Sequence, residues 1–133
     1  MRSRFDRQLS LLNRKMTEMG GECESIIASA VKALLAGSAE DARRAREQGH
    51  RIDQLEREIE SICLKLLLQQ QPVARDLRVI SAALKMITDM ERIGDQAEDI
   101  AEIISFLRGH QAEDNDLLRE MAHATIRMVT ESV

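Results

Sequence analysis

Glu91, Asp95, Glu98 and Glu102 follow one another at steps of four, three and four residues. At about 100° per residue, that spacing sets four carboxylates along one line of a helix. Carboxylates at i and i+4 project from one face about 6 Å apart at Cβ, and like charges that close destabilise a helix unless something compensates. Hard divalent or ferric ions accept clustered carboxylate oxygens, and Gly94 within the cluster leaves room for waters. The competing reading is a solvated acidic face answered by Arg92 or by a lysine on a neighbouring helix. Spacing alone favours the solvated face, and position narrows the gap. The line continues the apolar stripe Leu77, Ile80, Leu84 and Ile87, so the face turns from apolar to anionic without moving around the helix.

Other residue types that could carry chemistry are less telling. Asp53, Glu56 and Glu60 form a second acidic line, which matters only if an antiparallel partner brings it toward Glu91 and Asp95. Glu47-Gln48-Gly49-His50 reads as E-x-x-H, half of a ferritin-like di-iron motif. Such sites need two of these motifs and two further Glu. His110 and His123 have no Glu three residues before them, so His50 is expected at the surface. Nucleophilic catalysis finds little support, because neither Cys has a His near it in sequence and there is no nucleophile elbow or Gly-rich phosphate loop. Arg2, Arg4, Arg7 and Arg43, Arg44, Arg46 read as solvated helix faces, with docking to acidic partners or lipid head groups as the alternative.

The elements that must position these groups are helical. The 133 residues are 44% hydrophobic and 32% charged with a single Pro, which points to an all-α chain of long helices. With aromatics at 2%, the core must be Leu, Ile, Met and Ala. A net charge of −4 and a pI of about 5.4 argue against a non-specific nucleic-acid binder. Apolar runs are too short to span a bilayer, and MRSRFDRQLS has no signal-peptide core. Cys23 and Cys63 fall at apolar-stripe positions, as expected of reduced, buried thiols in a cytosolic protein.

The periodicity predicts four segments. The first, about Arg4 to Ala36, buries Phe5, Leu9, Leu12, Met16, Met19, Cys23, Ile26 or Ile27, Ala30 and Leu34, with Gly20-Gly21 at a close crossing or slight bend. Gly37 is a C′ residue, and Ser38 with Asp41 starts the next helix. That helix, about Ala39 to Gln70, buries Ala42, Ala45, Ile52, Leu55, Ile59, Ile62 and Leu66. Pro72 separates it from a third helix, about Val73 to Arg108, whose second apolar face holds Ala83, Met90, Gly94, Ala97, Ala101 and Ile104. After Gly109 and a polar stretch, Asp114 or Asn115 caps a fourth segment carrying Leu117, Leu118, Met121, Ala124, Thr125 and Met128. It reaches Val133 without a stop signal, which suggests a chain cut short of its natural end. Short connections make consecutive helices antiparallel neighbours in a bundle.

Three stretches together carry a family resemblance: QQPVARDLR (Gln70 to Arg78), MITDMERIGDQAEDIAE (Met86 to Glu102) and EMGGECE (Glu18 to Glu24). They closely resemble the PhoU family, regulators of phosphate uptake built from two similar three-helix repeats. Gln70, Pro72, Asp76, Arg78, Arg92 and Gly94 belong to that signature. Residues 1–112 look like the first repeat and 113–133 like the opening helix of the second.

The resemblance implies a cytoplasmic, non-enzymatic adaptor, peripheral to the membrane, that couples the phosphate ABC transporter and its ATPase subunit to the PhoR sensor kinase. Such regulators repress the phosphate-starvation response. It also implies metal ions (Fe, Zn, Mn or Mg) at paired E/D-x-x-x-D motifs, with no organic cofactor. Glu91 and Asp95 match one motif, and Asp53 and Asp99 are further candidate ligands. The companion motif would pair position 49 with Asp53, but position 49 is Gly, which predicts weaker binding and more water ligands. A homodimer is expected. The competing class is a carboxylate-bridged metal bundle with storage or oxidase activity.

Overall fold

The structure is a computed structural model that describes residues 2–69, 72–106 and 115–132. Four helices account for them: α1 (Arg2–Ala36), α2 (Ala39–Gln69), α3 (Ala74–Phe106) and α4 (Asn115–Ser132). The first three pack mutually as an antiparallel bundle, and α4 lies against α1. The chain is therefore all-α, as its periodicity predicts.

Local chemistry places the breaks. Gly37 adopts φ 62°, a left-handed conformation that side-chain-bearing residues avoid, and its N–H donates to the Ala33 carbonyl at 2.8 Å. Ser38 Oγ then accepts from the Asp41 N–H at 3.2 Å, satisfying one orphan donor of α2, and Glu40 and Asp41 in its first turn complement the helix dipole. Pro72 keeps α2 and α3 apart, and the ends expected at Gln70 and Arg108 lie outside the described residues.

All seven apolar residues expected inward on α2 are buried, as are Phe5, Leu12, Met16, Met19, Cys23, Ile26, Ile27 and Ala30 on α1. Leu9 and Leu34 are only partly covered, and Ala33 takes the buried place near the end of α1. Gly20 and Gly21 sit inside an unbroken helix, Gly20 buried and Gly21 exposed, and a Cβ at Gly21 would meet nothing within 4 Å, so no close crossing demands a glycine at position 21.

Two faces differ from expectation. On α3 the buried line is Ile80, Ala83, Ile87, Met90, Gly94, Ala97 and Ala101, whereas Leu77 is 40% exposed and Leu84 half-buried. Apolar residues on two sides of the helix left the inward side ambiguous, and contact with both α1 and α2 selected this one. On α4, Ala122, Ile126 and Val129 turn inward while Met121, Ala124, Thr125 and Met128 stay exposed. Leu117 and Leu118 lie outside the described side chains. The Thr130 hydroxyl donates to the Glu24 carboxylate and fastens α4 to α1. Between α1, α3 and α4 runs an almost wholly apolar groove of about 330 Å³, floored by Ile27, Ala30 and Leu34. No described helix is long and apolar enough to cross a membrane.

Candidate metal centre

At the α2–α3 seam Ile52 packs against Gly94. A Cβ at position 94 would lie 3.0 Å from Ile52 Cδ1 and 3.3 Å from Cγ2, so the missing side chain lets the helices approach. This register sets Asp53, next to Ile52, opposite Glu91 and Asp95, which stand three residues before and one residue after Gly94. One carboxylate oxygen from each of Asp53, Glu91 and Asp95 falls within 4.8 Å of the others. Asp53 and Glu91 are half-buried and Asp95 is exposed, so the group opens to water on one side.

Acid faces acid here, and the protonation equilibria register it. A hydrogen bond shared with Asp95, followed by burial and repulsion from Asp95, Glu56 and Asp53, pushes the Glu91 carboxyl up to about 7. Burial, then Asp53, Glu60 and Asp95, raises Glu56, which Arg57 only partly offsets. Burial also raises Glu98, with His50 opposing and Asp53, Asp95 and Asp99 adding to the rise. The protein holds part of this negative charge by taking up protons, a role that a cation could take over.

Gly49 explains how Glu98 fits. A Cβ built at position 49 would collide with the Glu98 carboxylate, whose Cδ would stand 2.9 Å from it. The carboxylate of α3 therefore folds into the place where a side chain on α2 would begin. Oxygen-only donors, partial burial and an open side for waters fit a hard cation. Asp53, Glu91 and Asp95 would hold it, and it would supply the positive charge that this seam lacks.

The remaining candidates are placed as follows. Asp99 is exposed and outside the three-carboxylate group. Its position, eight residues beyond Glu91, matched the acidic composition of the helix but not the face turned to α2. Asp76 is buried in the first turn of α3, Pro72 is half-buried, and Arg78 and Arg92 are exposed. Gln70 lies outside the described residues. Glu56 and Glu98 border the group more closely than the sequence argument credited, and only the register between helices identifies them. His50 is exposed, as expected, beside Glu98. Burial pushes the Cys23 thiol up to about 12 and the Cys63 thiol up to about 11, so neither is a ready nucleophile. The Cys23 thiol donates to the Met90 carbonyl at 3.5 Å.

Comparison with known proteins agrees with this architecture. The PhoU domain model matches residues 16–104. The chain is 40% identical over 99 residues to a phosphate-specific transport system accessory protein PhoU homolog from Burkholderia sp, covering 74% of this chain and 42% of that protein. A homolog of the same description from Streptococcus pneumoniae serotype 4 is 32% identical over 135 residues, 98% of this chain and 61% of that one. The crystal structure of PhoU from Pseudomonas aeruginosa superposes with a TM-score of 0.88 at 32% identity, covering 96% of this chain and 62% of that structure. The chain thus spans about two fifths to three fifths of the length of these relatives. Helical bundle, signature segments and the domain match lead to one conclusion: this chain belongs to the PhoU family.

Proposed function

We propose that this chain is a PhoU-like regulator of phosphate uptake, a non-enzymatic adaptor in the cytoplasm. In this reading it couples the phosphate ABC transporter, through its ATPase subunit, to the PhoR sensor kinase and represses the phosphate-starvation response. The observation that carries it is the match of residues 16–104 to the PhoU domain, together with relatives named as accessory proteins of phosphate-specific transport. Residues 1–112 act as the first three-helix repeat and 113–133 as the start of a second. The adaptor works as a homodimer, for which the exposed Met121 and Met128 of α4 offer apolar surface.

Asp53, Glu91 and Asp95 bind an ion of the Fe, Zn, Mn or Mg class in this reading, and the ion locks α2 to α3 where their charges repel. Elemental analysis tests it. The Glu91→Ala/Asp95→Ala variant should lose its bound metal while keeping its helical circular dichroism, and full retention would place the metal elsewhere. Co-purification with the transporter ATPase and with PhoR tests the adaptor role, and failure to capture either would remove it. Metal-dependent oxygen consumption by the purified chain would instead favour the carboxylate-bridged oxidase.

A further inference from the structure

Aliphatic side chains are left bare at one end of the bundle. Leu68 in the last turn of α2 is 80% exposed, Leu64 one turn before it 48%, and Val73, just ahead of α3, 58%. Cations stand among them. Lys65 shares the outward stripe of α2 with Leu64 and Leu68, and Arg75 and Arg78 are exposed on the first turns of α3. Among the described residues none of these three cations makes an ion pair, whereas Lys15 and Arg51, further along the bundle, are both engaged. The Lys15–Glu58 and Arg51–Glu22 pairs fix the α1–α2 register, which brings the exposed Arg4 and Arg7 of α1 level with the last turn of α2. Across Ser61 to Lys85 the charges are Lys65, Arg75, Arg78 and Lys85 against one acid, the buried Asp76, in a chain whose net charge is −4.

We propose that this end of the bundle, carried by Leu64, Lys65 and Leu68 of α2 and Val73, Arg75 and Arg78 at the start of α3, docks on an anionic phospholipid surface. Charge complementarity selects the occupant: cations reach head-group phosphates while the aliphatic tips enter the acyl boundary. Shape agrees. Leu64 and Leu68 line a shallow crease within α2, with Arg57, Glu60, Ser61 and Lys65, and the recess between α1 and α2 that Lys65 also reaches holds neither leucine and is edged by the charged Lys15 and Glu58. A protein partner's anchoring side chains want a deep pocket between elements, and lipid head groups need none. One acid, the exposed Glu60, lines the crease and is outnumbered by Lys65, Arg75 and Arg78, and the rest of the acidic seam lies further off. Glu91 lies thirteen residues beyond Arg78, about 20 Å at 1.5 Å per residue, roughly twice the screening length in physiological salt. The inference stands on these residues and not on the transporter reading, so either can fail alone.

Vesicle co-sedimentation of the whole chain tests it, with phosphatidylglycerol-rich and pure phosphatidylcholine vesicles side by side. The chain should partition onto the anionic vesicles, more weakly as salt rises, and should leave the neutral ones nearly empty. Lys65→Glu/Arg78→Glu should lower partitioning by roughly tenfold or more, as expected when each cation near the surface contributes about fivefold. Leu64→Ser/Leu68→Ser, at exposed positions, should weaken it with circular dichroism unchanged. Absence of binding to anionic vesicles, or equal binding by wild type and both variants, overturns the proposal. It is also overturned if the leucine variant turns a dimer into a monomer in lipid-free sedimentation without altering partitioning, because a second copy would then be the occupant.

Discussion

The two seams that α2 makes with its neighbours are built on opposite principles. Against α1 the polar border is charge-matched: Arg51 reaches Glu18 and Glu22, the latter at 2.9 Å, and Lys15 reaches Glu58 at 3.0 Å. Against α3 the border is acid on acid, with Asp53 and Glu56 facing Glu91, Asp95 and Glu98. Stability alone favours the first arrangement. The second leaves a repulsion that Arg57 and His50 only partly offset, which is what the proposed cation would relieve. The apolar rows beneath are similar, so what distinguishes the two seams lies in the polar rows along their edges.

Breaking the apolar row under the acidic seam should have the largest effect. Gly94→Ala places a Cβ against Ile52, and overpacking there should cost about 1–3 kcal/mol, only partly offset by better helix propensity. Urea denaturation measures it, and a neutral result would show that Ile52 yields freely. Gly49→Ala is the instructive counterpart. Its Cβ meets the far end of the flexible Glu98 side chain, which can swing away, so stability should rise by up to about 1 kcal/mol. A loss there would show that Glu98 is held in place.

Protonation sharpens the comparison next. The Glu91 carboxyl is pushed up to about 7 in the folded chain, above its ordinary value of 4.5, so between these pH values the folded state binds more protons than the unfolded. Its contribution is therefore fully present below about 4.5 and lost as pH rises through 7. Glu91→Gln should flatten that decline in metal-free protein and raise the melting temperature above pH 7 by about two degrees. An unchanged pH profile would mean that the repulsion is already screened by solvent. Arg51→Ala, on the charge-matched seam, should move stability least, by about 0–1 kcal/mol, because its partners are solvated. A larger loss by thermal unfolding would make that seam more than a solvated border.

Much of the fold was legible because it is local. Gly37 and Ser38 mark the α1–α2 break through backbone and capping chemistry that needs no distant partner. The inward face of α2 was legible as well, since one apolar stripe leaves no alternative. The α3 helix was harder. Leu77 and Leu84 extend one stripe and Ala83, Met90 and Ala97 another, and periodicity cannot say which meets the core. Of the site, Glu91 and Asp95 were visible from their spacing, whereas Asp53 could be joined to them only conditionally. Asp99, a candidate only through the family resemblance and off the acidic line, lies outside the group.

The order of amino acids by itself determined where α1 stops and α2 starts, which residues are acidic, and that Glu91 and Asp95 share a face, since each depends on neighbours within about four positions. Only the tertiary structure decided that Asp53 completes a three-carboxylate group and that Glu98 folds over Gly49. Both depend on how far α2 slides along α3, and the seating of Ile52 against Gly94 sets that register across more than forty residues of chain.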